Sequence, residues 1–103
     1  MLTSKSDFNF FKKECRRLIK EWGITDWSVY YRHCELDDCY GTINAKAQAR
    51  VATIFMAKTW SEDGVTESSI RELAKHEVLH LLLAEYRMLA YDRHATDKCY
   101  LHG

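Results

Sequence analysis

The run from Ser69 to Glu85 constrains this chain more than any other stretch. Ile70, Leu73, Ala74, Leu81, Ala84 and, just beyond, Met88 recur at the period of an α-helix. A helix with one apolar stripe has to bury it, so the rest of the chain must supply the cover. On a helical wheel Glu77 falls in the centre of that stripe, His80 lies beside it, and His76 is one step further round. A carboxylate on a core face costs several kcal/mol if it stays ionised and unpaired. A polar cluster at that place therefore asks for a chemical reason.

The cluster reads His76-Glu77-Val78-Leu79-His80. Histidines four residues apart lie about 40° apart around a helix and one turn along it. Both imidazoles can then reach one metal ion from the same side. The glutamate after the first histidine can hold and deprotonate a water on that metal. A lone histidine on an apolar face is ordinarily a satisfied core residue. Three polar groups at the edge of one apolar stripe, at metal-site spacing, point to a metal centre instead.

With 103 residues the chain is expected to form a single domain over residues 1–103, long enough to build one core. Lysine plus arginine equals aspartate plus glutamate, 15 against 15, which argues weakly against a dedicated nucleic-acid binder. Lys5, Asp7, Lys12 and Lys13 interrupt any signal-peptide pattern, and the longest apolar run, Leu81 to Ala84, is too short to span a bilayer. A soluble, cytoplasmic protein with no membrane partner is the expectation. Without a secretory signal, Cys15, Cys34, Cys39 and Cys99 are read as reduced thiols. Cys34 and Cys39 with His33 form a weaker second metal candidate, against ordinary cysteines at strand ends.

Before the motif, Phe8, Phe11, Cys15, Leu18, Ile19 and Trp22 form a helical stripe over residues 5–22, with Ser4 or Ser6 to cap it and Gly23 to end it. Its other side carries Lys12, Lys13, Arg16, Arg17 and Lys20, read as a solvated face, with an acidic partner as the sharper alternative. Trp27–Cys34, Tyr40–Ala47 and Arg50–Ala57 alternate as strands, with a turn near Gln48 or Ala49. Helix competes over residues 44–52, where alanine is frequent. The small residues between Ala45 and Ala52 suggest close approach of a helix. Ser61-Glu62-Asp63-Gly64 reads as a loop, Thr66 or Ser69 as a helix cap, and Ser69-x-x-Glu72 as a capping box, with the motif helix running to about Ala90.

Ile43-Asn44-Ala45-Lys46, Ala52-Thr53-Ile54-Phe55, Trp60 and Glu72 to Leu83 around the His-Glu-x-x-His motif resemble the small zincin-like metallopeptidases, above all the compact phage-type and SprT-like ones. The resemblance covers roughly residues 27–90, and the motif helix is its specific part. It implies an α+β fold: an N-terminal helix, a small antiparallel sheet of about three strands, and the active-site helix packed on it. It implies Zn2+ held by His76 and His80, Glu77 as general base, and a peptide or protein substrate paired with a sheet edge. A second copy of the chain could pair with the same edge.

The resemblance also implies a third ligand. The SprT-like spacing selects His94, with His102 second and Asp92, Asp97, Cys99 or another chain as alternatives. The chain must turn back for His94 to reach, because a continuous helix carries it about 21 Å beyond His80. Glu85 lies about 140° from His80 around the helix and should not converge. The glutamate that gluzincin-like members bring from a following helix is not met in these residues, and neither is the SprT-like zinc ribbon, so a DNA-linked substrate does not carry over. Tyr86, Tyr91 and Tyr100 are candidate oxyanion donors, against the usual packing role of tyrosine. A zinc-binding module that captures a partner without catalysis is the competing function, and a structural domain with incidental histidines is a third.

Overall fold

A computed structural model describes residues 2–60 and 64–94, with side chains described through Arg87. The order of elements is α1 (Lys5–Glu21), β1 (Ser28–Cys34), β2 (Gly41–Lys46), β3 (Val51–Ala57) and α2 (Glu67–His94). The expected α+β arrangement of helix, three strands and motif helix is present. Among the described residues no helix is long and apolar enough to cross a membrane.

Local chemistry sets the helix ends. Ser4 caps α1 in a reciprocal box: its hydroxyl accepts from the Asp7 amide at 3.0 Å, and the Asp7 carboxylate accepts from the Ser4 amide at 2.8 Å. At the other end the Ile24 amide reaches the Ile19 carbonyl and the Gly23 amide the Lys20 carbonyl, a Schellman closure that needs the positive φ of 72° at Gly23. α2 is capped by Thr66, whose hydroxyl accepts from the Ser69 amide at 3.1 Å while the Ser69 hydroxyl accepts from the Thr66 amide at 2.9 Å. The box is thus Thr66-x-x-Ser69, one turn before the expected Ser69-x-x-Glu72. α2 also continues beyond Ala90 to His94. The expected loop at residues 61–63 lies outside the described residues.

The sheet corrects one expectation. β2 and β3 pair antiparallel through a turn at residues 47–50, but β1 pairs parallel with β3, and the order is β1-β3-β2. Cys34 at the end of β1 sits opposite Ala57, and Gly41 at the start of β2 sits opposite Met56. The loop between β1 and β2 therefore crosses one strand width of about 5 Å on each side of β3, which a few residues span easily. β3 then returns into the slot. Alternation in sequence reports which face a side chain takes, not which neighbour its strand finds.

That alternation is obeyed. Val29, Tyr31 and His33 share one face with Ala52, Ile54 and Met56 and with Ala45, Ile43 and Gly41. Ala52, Ile54, Met56 and Ile43 join Phe11, Cys15, Leu18, Trp27, Ile70, Ala74, Val78 and Leu81 in one core between sheet and helices. The close approach of helix to sheet is sharpest at Gly41, where an added Cβ would stand 2.9 Å from Leu73 Cδ1. Glycine there lets α2 settle on β2.

Candidate metal centre

The motif lies in the middle of α2, and its burial follows the wheel. Glu77 is fully buried, His80 is half-buried and His76 is exposed. Ile70, Ala74, Val78 and Leu81 flank Glu77 in the core. Leu73 and Ala84 pack at its margin. The Met88 side chain lies outside the described residues.

The two imidazoles face each other. Their Nε2 atoms are 3.2 Å apart, and the rings stand nearly perpendicular with centroids 4.7 Å apart. Two nitrogens on one tetrahedral zinc at about 2.0–2.1 Å each would be about 3.3–3.4 Å apart. The pair is thus close to the spacing that two ligands of one ion require. The same distance suits a hydrogen bond from one Nε2–H to the other Nε2 when no ion is present. Burial, and then the neighbouring His76, lower the His80 pKa, which favours the neutral imidazole that a metal needs. His80 Nδ1 is buried without a hydrogen-bond partner. With Nε2 on a metal, Nδ1 would carry the proton, and no described residue accepts it.

Glu77 is the most unusual group in the chain. Both carboxylate oxygens are buried, and neither has a hydrogen-bond partner among the described residues. Burial pushes its pKa up to about 7. Its charge, when present, raises the pKa of the Cys15 and Cys39 thiols, adding to the larger effect of their own burial. Cys15 is the inert core residue expected, and no cation is paired with Glu77 among the described residues.

His76, Glu77 and His80 are therefore brought together on one segment of α2, and His94 is not brought to them. α2 is unbroken through His94, which sets that residue's backbone about 21 Å along the axis from His80. Its side chain lies outside the described residues, as do those of Asp92 and Tyr91. Asp97, Cys99, Tyr100 and His102 lie wholly outside them. Among the described residues no three His, Cys, Asp or Glu side chains converge as a set of metal ligands. The described residues thus fit a metal through two imidazoles and supply no third donor. Tyr86 is exposed on α2.

His33, the core of the weaker second candidate, is engaged elsewhere. Its Nε2 is 2.7 Å from the Thr3 hydroxyl, and its ring stacks on Phe8 at 4.8 Å. The Thr3 hydroxyl also points at the carbonyls of Ala57 and Lys58, which can only accept. Its single proton goes to them, so His33 Nε2–H donates to Thr3.

One polar cluster escaped sequence reasoning. Glu85 accepts from the Trp27 indole at 2.5 Å and from Arg50 at 2.7 and 2.8 Å. It ties α2 to the start of β1 and to the β2–β3 turn. Glu85 was placed away from the histidines correctly, but no spacing links residues 27, 50 and 85. Arg50 at φ 53° in that turn carries no sequence mark of a non-glycine residue in the left-handed region.

No family model, curated protein or solved structure matches the chain.

Proposed function

We propose that the protein is a zinc-dependent metallopeptidase in which His76 and His80 hold the ion and Glu77 is the general base. The observation that carries this reading is the 3.2 Å Nε2 pair next to a fully buried glutamate with no partner. Zinc held there would polarise a scissile carbonyl and lower the pKa of a bound water. His76 and His80 would each contribute one Nε2 to hold the ion. Glu77 takes a proton from the attacking water at Oε and returns it to the leaving amine. Its pKa near 7 suits both halves of that transfer at neutral pH. A third donor, by this reading, comes from the C-terminal segment that includes Cys99 and His102, or from another chain.

The extended substrate would pair with a free sheet edge. β2 is the edge that packs against α2, so a peptide laid along it runs beside the motif helix. The substrate class is peptide or protein, and the site of action is the cytoplasm.

A second reading has its own support: a zinc-binding module that captures a protein. Leu79, Leu83 and Tyr86 are exposed large apolar residues on the same side of α2 as His76. The two readings separate on Glu77→Gln. A peptidase loses cleavage of a mixed peptide library, read by mass spectrometry, while its zinc content stays unchanged. A capture module keeps its partner with Glu77→Gln and loses it with His76→Ala.

A further inference from the structure

Both helices cover the same face of the sheet, and among the described residues no element covers the opposite face. Its nine paired positions form three rows across β1, β3 and β2: Ser28, Val51 and Lys46; Tyr30, Thr53 and Asn44; Arg32, Phe55 and Thr42. Ser28, Tyr30, Arg32, Asn44 and Lys46 are exposed, and the other four are half-buried by their neighbours alone. Tyr30 is 59% exposed, among the most exposed large side chains described. An isolated exposed aromatic is ordinary, but this one has company.

Tyr30 and Phe55 are diagonal neighbours on adjacent strands, roughly 8 Å apart at Cα by the strand spacing and rise. Arg32 lies directly beside Phe55, and Lys46 occupies the far corner, roughly 16 Å from Arg32. The nine positions carry two cations and no carboxylate; the acids that flank β1, Asp26 and Glu35, lie outside the strand. Four of the remaining five positions are Ser, Thr or Asn. The even charge of the whole chain is thus an average over faces of different character.

We propose that this open face binds single-stranded nucleic acid. Two aromatic rings on one sheet face offer stacking platforms for unpaired bases, and the flanking cations meet the phosphates. The hydroxyl and amide side chains between them suit contacts to sugar and base edges. A duplex, whose bases are already stacked, would not use Tyr30 and Phe55. A purely acidic polypeptide would use the cations but not the rings. This inference is independent of the metal centre on the other side of the sheet.

The test is fluorescence anisotropy with labelled oligothymidylate and oligouridylate, the matching duplex, and polyglutamate as competitor. Binding of one or both single strands is expected, stronger than that of the duplex. Tyr30→Ala should weaken it about tenfold, and Tyr30→Phe should restore it, because the ring is what stacks. Arg32→Ala with Lys46→Ala should flatten the dependence of log affinity on log salt by about 1.4, at roughly 0.7 per phosphate contact on a single strand. Circular dichroism of each variant confirms that the fold is kept. The proposal is overturned if the intact protein binds neither single strand. It is equally overturned if Tyr30→Ala binds as tightly as the parent, or if duplex and polyglutamate compete as well as single strands do.

Discussion

Glu77 and Glu85 sit about two turns apart on the same helix and have opposite surroundings. Glu85 is 24% exposed and accepts from the Trp27 indole and, through both carboxylate oxygens, from Arg50 Nη1. Those donors, the indole foremost, hold its pKa below the usual carboxylate range. Glu77 is buried with no donor among the described residues, and burial alone lifts its pKa to about 7. A folded chain normally supplies partners for a carboxylate that it draws inward. It does so for Glu85, where the carboxylate fastens three elements together. Among the described residues it does not for Glu77, beside which stand two imidazoles with their Nε2 atoms 3.2 Å apart. The contrast marks Glu85 as a structural group and, under the proposed function, Glu77 as the general base.

The largest effect that would break this contrast is catalytic. Glu77→Gln should lower cleavage by about a hundredfold or more, the range of a lost general base, while zinc stays bound. Glu85→Gln should leave the cleavage rate per folded molecule near that of the parent. Peptide cleavage assayed alongside metal content reads both.

Next in size is the stability of metal-free protein. Glu77→Met fills the same space without a charge. A pKa raised from 4.5 to about 7 corresponds to a penalty on the order of 3 kcal/mol for the ionised form. Urea denaturation should therefore find the variant more stable than the parent above about pH 7, and no such gain near pH 4. Arg50→Ala should act the other way, losing about 1–2 kcal/mol at neutral pH by leaving Glu85 with one donor fewer.

The smallest effect is in the shape of the pH profile. A raised folded pKa means that the Glu77 contribution is fully present below its ordinary value near 4.5 and is lost as pH rises through about 7. A lowered one means that the Glu85 contribution is present above the ordinary carboxylate range and is lost as pH falls through its depressed value. Metal-free protein should thus soften at both ends. Glu77→Met should remove the neutral arm alone, and Glu85→Gln the acid arm alone. Thermal melts across the pH range separate the two.

Much of this was legible in the residues. The wheel gave the depth of Glu77, His80 and His76 because a helix converts spacing into direction. Alternation sorted the residues of the three strands into their two faces for the same reason. Ser4 and Gly23 marked the ends of α1 because caps are local chemistry. What spacing does not carry is which distant segments meet. The parallel β1–β3 pair depends on a loop crossing β3 before β3 has been made. The Trp27–Arg50–Glu85 clamp joins residues with no shared period. Thr66 was one of the two expected caps, and only the capping box was placed one turn late, because Ser69 offers a competing box with Glu72. A third donor for the proposed metal was not legible because the residues from Asp92 onward have no period to place them.

The most direct measurement is the metal content of full-length protein purified without a histidine tag, with His76→Ala in parallel. About one zinc per chain, lost in His76→Ala, is the result predicted for an ion held by His76 and His80. Parent protein that folds normally and carries no stoichiometric metal, even after equilibration with zinc, would contradict it. It would leave His76 and His80 as a hydrogen-bonded surface pair.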